Sequence, residues 1–184
     1  MKINYKKSLK LITLLIASIL IATVSATVYY SLTMETIITV GAKDVKFVTA
    51  GDTPTGSNVQ DSFCSLSLST YPNSTITYEQ AIGVNNTAGS SRYIRLRHVS
   101  VSPNGTSDVG NFTHVKFYLI DSSNVTKATL NYTTSGNYWS ATSTTDWNEI
   151  PLTTTWYIKV ETLSPASPTS GKSCTITIAI DVQQ

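Results

Sequence analysis

The chain has 184 residues, with 13 Lys and Arg against 11 Asp and Glu, a formal net charge of +2, and only 13% charged residues. A length of this order suits one domain with one core. So small a charge excess excludes an electrostatic nucleic-acid binder.

The first segment, "MKINYKKSLK", carries Lys2, Lys6, Lys7 and Lys10, and "LITLLIASILIATV" follows it without a charge. Small residues Ser25 and Ala26 close the run. A basic head, an apolar middle and a small-residue site predict a secretory signal peptide over residues 1–26, cleaved after Ala26. Cleavage removes four of the 13 basic residues and none of the 11 acidic ones, which leaves 13 − 4 − 11 = −2. The mature chain is therefore mildly acidic, and it meets a membrane only through the signal segment before cleavage.

Residues 27–40, "TVYYSLTMETIITV", alternate with period two, the pattern of a half-buried strand. Val28, Tyr30, Leu32 and Met34 fall on the apolar parity. At about 3.3 Å per residue the run spans roughly 45 Å, more than one small sandwich can pair. Unpaired backbone on such a strand is a template for another chain. The pattern therefore predicts a donor strand over 27–40, with Val28, Tyr30, Leu32 and Met34 as anchors in a neighbouring subunit. A head-to-tail contact of this kind repeats into an open filament.

The remainder, 41–184, reads as one β-sandwich domain of Ig-like or jelly-roll type. Strands are predicted over 44–50, 62–69, 74–84, 92–101, 113–120, 125–133, 137–141, 154–163 and 174–182. Turn signals such as Pro103-Asn104-Gly105 and Ser135-Gly136 separate them. All six Pro residues lie between these runs or at their ends, where they interrupt no ladder. No helical period appears after residue 26.

Cys64 and Cys174 sit on the apolar parity of their strands. In an oxidising compartment two such cysteines are expected to pair, closing a loop of 174 − 64 = 110 residues. Six Asn residues open N-x-Thr sequons: Asn73, Asn85, Asn104, Asn111, Asn124 and Asn131. They predict N-linked glycans as partners of the exported chain, with sugar replacing charge as the solubilising surface. Asn104, in the Pro-Asn-Gly turn, is the leading site.

No chemistry is legible. His98 and His114 lack HExxH spacing, carboxylates stand singly, and neither a G-x-S-x-G elbow nor a phosphate-cradling loop is present. The expectation is no enzyme, no metal and no cofactor. "RYIRLRH" is the one basic cluster, with Arg95 and Arg97 on one strand face.

The basic signal segment, "SATVYYSLTMETIITVGA" and the Thr- and Ser-rich, sequon-bearing β-domain together resemble archaeal extracellular filament subunits, the thread and bundling-pilus proteins. These are similar in fold to the TasA biofilm fibre proteins. The resemblance covers the whole chain as architecture. It implies a glycosylated, secreted surface filament held by N-terminal donor strands, with roles in adhesion and biofilm. TasA relatives include metallopeptidases, but this chain carries no zinc motif. Two other readings stay open. One is a monomeric secreted or membrane-tethered adhesion domain. The other is a type IV pilin-like subunit, in which Leu11 onward would remain as a core helix after a cut near Lys10.

Overall fold

The computed structural model describes residues 32–40 and 44–184. The signal segment 1–26 and the strand residues Val28 and Tyr30 lie outside the described residues. Most of the described chain is strand, and it forms two facing sheets of six strands each.

The first sheet comprises β1 (Leu32–Val40), β3 (Asn58–Gln60), β4 (Phe63–Thr70), β6 (Arg92–Ser102), β10 (Asn148–Ile150) and β12 (Ser173–Gln183). Its order is β10-β6-β12-β1-β4-β3. The second comprises β2 (Val45–Val48), β5 (Thr75–Asn86), β7 (His114–Ile120), β8 (Thr126–Ser135), β9 (Tyr138–Ala141) and β11 (Thr155–Leu163). Its order is β2-β5-β11-β7-β8-β9. Residues Ser107–Asn111 make a short 3-10 turn inside the loop between β6 and β7.

Alternation decides which side chains meet between the sheets. In β4, Cys64, Leu66, Leu68 and Thr70 are buried and the Ser residues between them are not. In β11, Trp156, Ile158, Val160 and Thr162 are buried in the same rhythm. These rows and their counterparts on β1, β7, β8 and β12 merge into one apolar cluster. Each fully buried aliphatic side chain contributes roughly 1.5–3 kcal/mol. An aromatic group closes one end, where Phe117 and Trp139 both pack edge-on against buried Tyr132. The core is therefore built from both sheets, as sandwich packing requires.

Register shifts bend the ladders at Ile158/Val160 and at Thr177/Ile178. Gly83 lies buried in β5, where an added Cβ would stand 2.6 Å from Val48 Cγ2. That close approach lets β2 lie against β5. Strands β3 and β10 carry only three residues each, too short for a period to register in the sequence.

Candidate assembly site

The first described element occupies an unusual place. β1 lies between β12 and β4, with β6 and β10 beyond one neighbour and β3 beyond the other. It is the strand that joins these two parts of the sheet. It runs antiparallel to β4 and parallel to β12, the one parallel strand pair among the described residues. Strands next to each other in sequence usually pair antiparallel through short turns. β1 instead meets strands far along the chain.

The alternating residues of β1 divide as their parity predicts. Met34, Thr36, Ile38 and Val40 point into the core, while Glu35 and Thr39 face solvent. Glu35 Oε1 accepts a hydrogen bond from Ser65 Oγ at 3.0 Å across the outer face. One inward residue is mismatched, because the buried Thr36 hydroxyl has no hydrogen-bond partner.

This placement corrects part of the sequence reading. Met34 lies opposite Leu68 and Cys174 in its own subunit, so it is no anchor in a neighbour. Pairing of β1 begins at Leu32↔Thr70 and Thr33↔Ser173. These are also the last residue of β4 and the first residue of β12.

The expected Cys64–Cys174 disulfide is also corrected. Both thiols are free and buried. Cys64 stands opposite Ile38 and Cys174 opposite Met34, on opposite sides of β1. Two strand spacings and four residues of offset put their Cα atoms roughly 16 Å apart, beyond the ~7 Å limit for a bridge. Parity correctly gave the face of each cysteine, but it carries no information on which strand lies between them. Burial pushes both thiols up to about 12, which keeps them protonated and inert.

The six sequon asparagines fall into three groups. Asn73, Asn104 and Asn124 are exposed on turns, two of them with positive φ of 50° and 62° at Asn73 and Asn124. Asn104 Oδ1 accepts the backbone N–H of Trp139 at 3.0 Å, which fixes the side chain and leaves Nδ2 on the open side. Asn85 and Asn131 are half-buried on β5 and β8. Asn111 is buried; its Nδ2 donates to Asp108 O, and its Oδ1 accepts Thr169 N–H at 2.6 Å. Its amide is spent on loop structure, so Asn111 is withdrawn as a glycan site of the folded chain.

The histidines do not meet. His98 Nδ1 is 3.0 Å from Tyr132 Oη, and His114 Nε2 is 3.0 Å from Glu161 Oε1 on the outer face of the other sheet. Glu161 also accepts from Lys116 Nζ at 2.8 Å. Burial raises the Glu161 carboxyl, but Lys116 and then His114 outweigh it and hold the group below its ordinary value. Arg95 and Arg97 converge on Asp181, a partner the sequence reading missed. Arg97 donates through Nε and Nη2 at 3.0–3.1 Å and Arg95 through Nε at 3.0 Å. The Arg97 hydrogen bond is the main cause of the lowered Asp181 carboxyl. The signal for this cluster was the inward parity of "TITIAIDV", which turns Asp181 to the outer face beside the two arginines.

Among the described residues, no group of three or more His, Cys, Asp or Glu side chains is placed to hold a metal. No helix among them is long and apolar enough to cross a membrane. No family model matches the chain, and no curated protein matches its sequence.

Proposed function

We propose that this protein is the structural subunit of a secreted, glycosylated surface filament, joined head to tail by residues that precede β1. The carrying observation is that β4 ends opposite Leu32 and β12 begins opposite Thr33. The period-two pattern nevertheless extends back to Thr27. Residues 27–31 are thus strand by pattern and precede the first described pairs of β1. A neighbouring subunit supplies the missing ladder by strand addition.

Residues 41–43 alone separate β1 from Asp44. Three residues reach at most about 10 Å, so β1 itself stays at home and the connector is the segment before it. The donated part is therefore shorter than the 27–40 stretch that pattern alone marks out. Val28 and Tyr30, on the inward parity, are its anchors. Repetition of this contact is open and head to tail. Roles in adhesion and biofilm follow for a filament exposed at the cell surface.

The second reading is a monomeric secreted adhesion domain. The observation in its favour is that β1 fills its own sheet, so the fold closes within one chain. Electron microscopy of the mature protein separates the two. Filaments are expected from the wild type and from Ser31→Asp, whose side chain has outward parity. They are expected to be lost in Tyr30→Asp, which places a charge in an apolar contact. Equal polymerisation of both variants would mean that Tyr30 is no anchor of the contact, and no filaments from the wild type leaves the monomeric reading.

A further inference from the structure

The outer face of the β12 sheet carries an open depression of about 290 Å³ whose lining includes Arg97, Asp181, Ala179 and Thr39. The register explains it. Arg97, Ala179 and Thr39 lie in one row across β6, β12 and β1. The small Ala179 side chain leaves a dip between a guanidinium on one side and a hydroxyl on the other. The volume matches the lower end of small-ligand sites and the size of one sugar ring.

The charged wall is held in place. Asp181 takes both Nε and Nη2 of Arg97 and also Nε of Arg95. Arg95 is further clamped, with Cζ 4.4 Å from the centre of the Trp147 ring. Two arginines share one carboxylate, so this wall keeps a net positive charge. The side chain of Arg97 remains 43% exposed and that of Asp181 only 20%. Glu149 pairs with Tyr93 on the β10 side of β6, away from the dip. A fixed cation and a hydroxyl at a sugar-sized dip meet two demands of one ligand class: a carboxylate and ring hydroxyls.

We propose that this depression binds the carboxylate-bearing sugar of an acidic glycan, a hexuronate. Arg97 receives the carboxylate, Thr39 and Asp181 meet ring hydroxyls, and Ala179 is the floor. The site lies at the Val40 end of β1, far from Leu32, and does not depend on assembly.

The test is titration of the mature protein with sodium glucuronate at constant ionic strength, followed by Trp147 fluorescence and by backbone amide shifts at Ala179. Parallel titrations use glucose and inorganic phosphate. Saturable binding of glucuronate is expected, at least about 10-fold tighter than either control. Arg97→Gln and Ala179→Leu are each expected to weaken it by about 10-fold or more. Arg97→Gln changes only a surface group, so it decides the matter should Ala179→Leu disturb the sheet. Phosphate binding as tightly as glucuronate reduces the site to a simple anion contact and overturns the proposal. So does the absence of saturation up to about 50 mM glucuronate, or unchanged binding by Arg97→Gln.

Discussion

At the scale of single residues, the cysteines and the sequons show how local environment overrides a motif. Cys64 and Cys174 are apolar core residues separated by a strand, and burial holds both thiols up at about 12. The unreduced mature protein is therefore expected to have the mass of the dithiol form. Both thiols should resist alkylation in the native state and react together once denaturant opens the sheet. A native mass two protons lighter would restore the disulfide. The sequons make an equally direct comparison. Site-resolved glycopeptide mass spectrometry of protein from its native source is expected to find sugar at Asn73, Asn104 or Asn124. Asn111 is expected to be bare, because its amide is committed to Asp108 and Thr169. Occupancy at Asn111 above that at Asn104 would show that sugar is added before this loop closes.

At the scale of elements, β1 is where local pattern and tertiary setting agree most closely. Its even residues enter the core and Glu35 and Thr39 do not, so two adjacent substitutions separate the faces. Ile38→Asp places a carboxylate opposite Cys64 and Ile178, both buried, and is expected to cost at least 3 kcal/mol, or about half of an ordinary domain's stability. Ile37→Asp adds its charge to the outer face and should stay below about 1 kcal/mol. Chemical denaturation of the two variants reads this difference, and similar midpoints would mean that β1 is not docked as described. The same parity made the all-β sandwich legible: every long strand announced its inward row, as β4, β11 and β12 do. What stayed hidden has physical causes. Three-residue strands such as β3 and β10 hold less than two periods. The order of strands in a sheet is a long-range property, and alternation within "CTITIAIDV" does not say that β1 runs beside it in parallel. The Arg95–Arg97–Asp181 cluster depends on that order too, since Asp181 lies more than 80 residues from the two arginines.

At the scale of the whole molecule, the position of β1 sets apart two tasks for one N-terminal strand. Residues 34–40 hold the subunit together, because β12 and β4 meet only through β1. β4 ends opposite Leu32 and β12 begins opposite Thr33, and the residues before Leu32 are the proposed connector. If residues 27–31 pair with another subunit, as proposed, removing them from the mature chain should leave the midpoint of thermal unfolding within about 2 °C of the wild type. The same deletion should abolish filaments, since it removes the strand that another subunit would pair. A stability loss without a change in assembly would place these residues inside their own subunit. Loss of both would show that folding and assembly share one contact. Only intact stability with lost polymerisation fits a connector that is strand by pattern and partnered by another copy. Light scattering at several protein concentrations, alongside calorimetry of the same samples, measures the two outcomes independently.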